Sequence, residues 1–163
     1  MMKSTNIELQ SEADTWKFGR QLAELLPTGT VIALNGTLGA GKTRLVQAVA
    51  SACGVPVEDV TSPTFTLWQT YQGTQTIHHL DAYRIGDEDE FLNLGVEECF
   101  EDGFMFIEWA ERVAECLPPN CLEIRLEVVG ETQRTAEVST QSGELISIVE
   151  AIHRAATGSQ LGS

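Results

Sequence analysis

The residues with the clearest chemical potential are Gly36-Thr37-Leu38-Gly39-Ala40-Gly41-Lys42-Thr43, which satisfy the pattern G-x-x-x-x-G-K-[ST]. Glycines in such a loop let the backbone curl until successive N–H groups converge on phosphate oxygens. A helix opening at Lys42 adds the positive end of its dipole. The Lys42 ammonium then reaches the β- and γ-phosphates, and the Thr43 hydroxyl is offered to a magnesium ion beside them. Four fixed positions match by chance on the order of once in a few hundred chains of this length, so the flanking elements decide. Thr30 to Asn35 reads TVIALN, a short apolar run expected for a buried strand. Lys42 to about Ala52 reads as a helix, ended by Gly54 and Pro56. Strand, glycine-rich loop and helix together are the setting this chemistry requires. The chain is therefore read as a magnesium-dependent ATP site, with Gly36, Gly39, Ala40, Gly41, Lys42 and Thr43 in contact with the nucleotide.

A site of this kind needs a further carboxylate for the metal, usually at the end of another buried strand. Phe104 to Ile107 is such a run, and Glu108 stands at its end. In a parallel strand Glu108 would sit at the carboxyl edge, where ligands of α/β sheets bind. An ordinary strand-end acid is the other reading, and the phosphate loop tips the choice toward function. Asp81 follows the apolar stretch Ile77 to Leu80 and is a second candidate. His78 and His79 precede it and are read as structural, with neither assigned to a metal.

These residues must be carried by a framework. Ser11 and Asp14 resemble a helix start, followed by Trp16, Leu22, Leu25 and Leu26 as an apolar stripe up to Pro27. Phe65 or Leu67 through Tyr71, a Gln72-Gly73 turn and Thr76 to Leu80 read as a β-hairpin. Asp87 to Asp102 reads as an acidic helix that Gly95 can break in two. Leu122 to Val128 and Thr135 to Thr140 form a second antiparallel pair, and Glu144 to Ala156 a closing helix, with a frayed tail from Thr157 to Ser163. Strands alternating with helices indicate an α/β fold: a three-layer sandwich of the P-loop NTPase kind, with a mixed sheet flanked by helices. At 163 residues the chain is expected to form one domain.

Composition narrows the function classes. Apolar residues make up 42% of the chain and are spread along it, as in globular proteins. No apolar run approaches the ~20 residues of a membrane span. Met1 to Gln10 is polar and carries no apolar signal core, so a cytoplasmic location is expected. Cys53, Cys99, Cys116 and Cys121 form no C-x-x-C pair and read as reduced thiols. The formal net charge of −14 repels a bare phosphate backbone, which argues against DNA binding or direct RNA binding. Acid is densest between Gly86 and Glu115, where Arg112 is the sole base. That stretch is either a solvated face or a docking face for a basic protein.

Four sets of residues together resemble one family: Leu38-Gly39-Ala40-Gly41-Lys42-Thr43, Ser62-Pro63-Thr64-Phe65, His79-Leu80-Asp81-Ala82-Tyr83-Arg84 and Ile107-Glu108-Trp109. Their order and spacing are similar to those of the bacterial TsaE (YjeE) ATPases of tRNA threonylcarbamoyladenosine synthesis. The resemblance spans roughly Ser11 to Val138. It implies an ATPase that works with TsaB and TsaD, two partners of actin-like fold, in the modification of adenosine 37 of tRNA. The transfer itself would occur on TsaD, and this chain would hydrolyse ATP to reset the complex, reaching tRNA only through it. The resemblance implies that Lys42 and Thr43 bind phosphate and magnesium, that Glu108 completes the metal site and that Asp81 lies near the γ-phosphate or its water. It further implies that Trp109 lies beside the nucleotide, that Thr15 helps hold the adenine and that Ser62 and Thr64 belong to a switch-like loop. Thr37 departs from the family's usual acid, and Ala110 from a frequent proline. Two other functions fit the same loop: a small-molecule kinase and a nucleotide-dependent switch with incidental hydrolysis. The scattered Arg112, Arg125, Arg134 and Arg154 do not form the arginine-rich lid that such kinases carry.

Overall fold

The computed structural model describes residues 2–37, 39–61 and 67–161. Ser62, Thr64 and Phe65 lie outside the described residues. The order of elements is β1 (Lys3–Leu9), α1 (Glu12–Leu25), β2 (Thr30–Gly36), α2 (Lys42–Ala52), β3 (Trp68–Gln72), β4 (Thr76–Asp81), α3 (Glu88–Asn93), β5 (Phe104–Glu108), β6 (Cys121–Val128), β7 (Arg134–Thr140) and α4 (Gly143–Leu161). Short 3-10 turns span Val57–Asp59, Val96–Cys99 and Ala110–Cys116.

The strands form one mixed sheet in the order β1-β7-β6-β2-β5-β4-β3. Its centre, β6-β2-β5-β4, is parallel, and antiparallel pairs close both sides. β2 and β5 are buried on both faces, which is why they read as unbroken apolar runs. Alternate residues serve two cores. Ile32, Leu34, Phe104 and Phe106 pack with Phe18, Leu22, Leu45 and Ile152, below α1, α2 and α4. Val31, Ala33, Met105 and Ile107 pack with Phe91, Val96 and Val113 on the other face. Each large apolar side chain so buried contributes roughly 1.5–3 kcal/mol. The expected α/β sandwich is present, with a second helical layer built from short pieces.

Five local readings change. The polar start contains an edge strand, β1, whose Thr5, Ile7 and Leu9 face inward while their neighbours stay exposed. That period-two pattern is its sequence signal. The buried stripe of α1 is Thr15, Phe18, Gly19 and Leu22, whereas Trp16 and Leu25 are only half-buried. The acidic segment is α3 and a separate 3-10 turn, parted where Gly95 adopts φ 77°. The closing helix continues to Leu161. The expected capping at the start of α1 is not made: the Ser11 side chain forms no capping bond, and the Asp14 carboxylate accepts the N–H of Gln10, ahead of the helix, at 2.8 Å.

Two predictions follow from this packing. A Cβ on Gly19 would lie 2.4 Å from Ala48 Cβ, so α1 and α2 touch through their backbones. Overpacking costs about 1–3 kcal/mol, more than the ~1 kcal/mol of helix propensity that alanine adds. Gly19→Ala is expected to lower stability in urea denaturation, and the resulting shift of α1 to weaken nucleotide binding. All four cysteines are free thiols. Burial pushes Cys121 up to about 12, leaving on the order of one thiolate in ten thousand at pH 8. Mass spectrometry after iodoacetamide should find Cys121 alkylated only in denaturant.

Candidate functional site

Strand register brings the site together. β2, β5 and β4 run parallel, with Leu34 opposite Glu108 and Glu108 opposite Asp81. The two carboxylates and the loop after β2 therefore meet at one edge of the sheet. Glu108 shares the face of Phe104 and Phe106, which α2 covers. Thr43, in the first turn of α2, meets it there: the Thr43 hydroxyl donates to Glu108 Oε2 at 2.9 Å. His79 Nε2 reaches the same oxygen at 2.5 Å.

The loop itself is shaped by close approach. Gly36 has φ 144°, and a Cβ there would stand 2.5 Å from the Leu126 carbonyl oxygen, so no larger residue fits. Gly41 caps α2 in the left-handed region, at φ 103°. Lys42 curls back across the loop, donating to the carbonyls of Gly36 at 2.6 Å and Thr37 at 3.0 Å. Its ammonium also lies 4.3 Å from the Trp109 ring centroid. Burial lowers the Lys42 pKa, while Glu108, Asp81 and Glu111 act to raise it.

Trp109 occupies a left-handed conformation, φ 58°, which strains a residue with a side chain. The sheet holds it there: its N–H donates to Leu34 O at 2.9 Å, and the N–H of Ala82 donates to Glu108 O at 2.9 Å. The Tyr83 ring lies 5.1 Å from that of Trp109, and the Arg112 guanidinium lies over the Tyr83 ring at 5.2 Å. Asp81 Oδ1 accepts the N–H of Tyr83 at 2.9 Å, which fixes the carboxylate beside Glu108.

A cleft of about 870 Å³ opens over these groups, within the size range of small-molecule sites. It is lined by Ser11, Glu12 and Thr15 at the start of α1, by Gly39 to Thr43 of the loop and α2, by Asp81, Glu108 and Trp109 at the strand ends, and by Glu131, Thr132 and Arg134 at the β6–β7 turn. The structure thus gathers Thr15, Gly39, Ala40, Gly41, Lys42, Thr43, Asp81, Glu108 and Trp109 into one cleft. Gly36 is not among the residues lining this cleft; it lines a smaller groove together with Thr37 and Trp109. Ser62 and Thr64 lie outside the described residues. Oxygen donors from Thr43, Glu108 and Asp81 suit a hard cation such as Mg²⁺. Among the described residues no group of three or more His, Cys, Asp and Glu side chains could hold a metal alone. A cation here would therefore share its coordination with phosphate and water, the usual habit of Mg²⁺.

Sequence reasoning passed over Ser11, Glu12 and Arg134. Glu12 pairs with Arg44 at 2.9 Å on the cleft rim. Arg134 donates to the carbonyls of Gly130, Glu131 and Gln133 within its own loop and, at 3.3 Å, to Gly39 O. It ties the β6–β7 turn to the phosphate loop. No local pattern could reveal a contact made across 95 residues.

Comparison with known proteins places this geometry among relatives. The family model described as "Threonylcarbamoyl adenosine biosynthesis protein TsaE" matches residues 9–136. The tRNA threonylcarbamoyladenosine biosynthesis protein TsaE of Treponema pallidum is 40% identical over 131 residues, covering 80% of this chain and 96% of that protein. The protein of the same name from Aquifex aeolicus is 37% identical over 132 residues, covering 80% and 92%. The crystal structure of YdiB from Bacillus subtilis superposes with a TM-score of 0.78 at 27% identity, covering 95% of this chain and 97% of that one.

The Arg134 bridge yields a further prediction. Its bond to Gly39 O is long and solvent-exposed, so it contributes about 0.2–1 kcal/mol. Arg134→Ala should weaken nucleotide binding by about two- to five-fold in isothermal calorimetry, because the β6–β7 turn and the phosphate loop lose their common tether.

Proposed function

The chain belongs to the TsaE family of threonylcarbamoyl adenosine biosynthesis proteins, and from that premise we propose that it is the ATP-binding and ATP-hydrolysing subunit of the tRNA N6-threonylcarbamoyladenosine pathway. The observation that carries the reading is the Thr43–Glu108 hydrogen bond. It joins the helix after the phosphate loop to a strand-end carboxylate, with Lys42 and Asp81 alongside.

Lys42 is the group that meets the β- and γ-phosphates. Its present partners are loop carbonyls, which phosphate oxygens replace as better acceptors for an ammonium. Backbone N–H groups of the loop and the start of α2 take the remaining phosphate oxygens. Thr43 and Glu108 would hold Mg²⁺, which would neutralise charge on the phosphates. Asp81, oriented by the Tyr83 N–H, positions the water that attacks the γ-phosphorus as the bond to the β–γ bridging oxygen breaks. Trp109 borders the phosphates, and Thr15 the base.

Slow turnover in isolation follows from how the arginines near the cleft are used. Arg44 pairs with Glu12, Arg112 lies over Tyr83 and Arg134 bonds to carbonyls. We infer that an additional cation for the transition state, beside Lys42, comes from a partner. TsaB and TsaD are the proposed partners. With a net charge of −14, the chain meets tRNA through that complex and acts in the cytoplasm.

The test is ATP hydrolysis by the pure protein, then with TsaB, TsaD and tRNA added. Hydrolysis should be slow alone and rise with partners. Lys42→Ala should lower it by about 10²–10³-fold, the usual cost of losing one transition-state donor. Turnover indifferent to partners would return the kinase and switch readings to the front.

A further inference from the structure

His79 is fully buried in β4. Its register partner on β5 is Phe106, which pairs in turn with Ile32 of β2. Both partners belong to the apolar core under α1 and α2, as does Ile77, two residues before His79 on the same face. Tyr71 of that core packs its ring 6.3 Å from the imidazole. A histidine in this row brings two polar ring atoms into apolar surroundings, which is costly unless each finds a partner. One does: Nε2 lies 2.5 Å from Glu108 Oε2. The other does not: Nδ1 has no hydrogen-bond partner among the described residues. Leucine or phenylalanine would fill the place without that cost, so packing does not account for the imidazole.

We propose that His79 is a positioning residue for the magnesium site: it donates its Nε2 proton to Glu108 Oε2 and holds that carboxylate ready as a metal ligand. The inference rests on the roles proposed above for Thr43 and Glu108. At present Oε2 accepts from two donors, Thr43 Oγ1 and His79 Nε2. Of the two, Thr43 would also offer its oxygen to the cation, whereas His79 Nε2 bonds to Glu108 alone and keeps the carboxylate from swinging. It lies one row below Glu108, on the neighbouring strand, within reach of the carboxylate and behind it. The tautomer that donates through Nε2 leaves at Nδ1 a lone pair, not an N–H, without a partner. His79 touches neither nucleotide nor metal and acts through Glu108.

The experiment measures ADP affinity in EDTA and then across a series of Mg²⁺ concentrations. It compares the natural chain with His79→Gln and His79→Asn. The glutamine amide nitrogen reaches the place of Nε2, and the shorter asparagine does not. In His79→Asn the Mg²⁺ concentration for half-maximal tightening should rise by about 10–100-fold, the usual cost of losing a ligand's supporting hydrogen bond. His79→Gln should stay near the natural value, and ADP affinity in EDTA should be the same in all three. The proposal is overturned if both variants respond to Mg²⁺ as the natural chain does, if both are equally impaired, or if His79→Asn has lost affinity to the same degree in EDTA. A natural chain whose ADP affinity ignores Mg²⁺ would overturn the magnesium reading, and this inference with it, before any substitution is made.

Discussion

Everything at the cleft depends on the parallel pairing of β2, β5 and β4. It sets Leu34, Glu108 and Asp81 in one row and His79, Phe106 and Ile32 in the row below. Side chains alternate faces along a strand, so a slip of one residue would turn both carboxylates away from α2 and Thr43. The register is specified by what lies beneath. Each central strand sends alternate residues into one of two apolar cores, and a slip would scramble both. Two backbone bonds, Trp109 N–H to Leu34 O and Ala82 N–H to Glu108 O, carry the ladder past the strand ends. Apolar packing thereby positions a polar site.

The unfavourable features of the fold are concentrated at this edge. Lys42, Asp81 and Glu108 are each 5% exposed, and Trp109 is held at positive φ. Such features persist when neighbours over-determine them. Here the charges offset one another: three carboxylates act on Lys42 against its burial, and Glu108 is bonded by Thr43 and His79. Within the site, Lys42 rests on the loop's own carbonyls and Thr43 on Glu108.

The acidic surface has a structural counterpart. Between Asp87 and Cys116, α3 and two 3-10 turns flank β5 and cover one face of the sheet through Phe91, Val96, Ala110 and Val113. Apart from the buried Glu108 of β5, the acids of this stretch lie mostly at the surface. The same segment holds Trp109 and joins the sheet through Asn35, whose Oδ1 accepts the N–H of Glu111 at 3.1 Å. The layer richest in acid is thus coupled directly to the end of the nucleotide cleft.

Much of this was legible from residue order because it is local. The phosphate loop needs its glycines, lysine and threonine in consecutive places, and a strand buried on both faces reads as an unbroken apolar run. Glu108 and Asp81 could be named as candidates because each ends such a run. β1 was passed over because its inward residues Thr5, Ile7 and Leu9 alternate with polar ones and lower the local hydrophobicity. The breadth of the acidic helix was overstated because charge and periodicity do not show where a helix lacks a partner to pack on. Other features exist only once the chain has folded. Arg134 meets Gly39 across the sheet edge, and His79 meets Glu108 across two strands. The sequence by itself determined the residue types of the loop and the class of the fold, since both follow from neighbouring residues. The tertiary structure alone decided which carboxylate faces Thr43 and which histidine stands behind it, because strand register couples residues far apart in the chain.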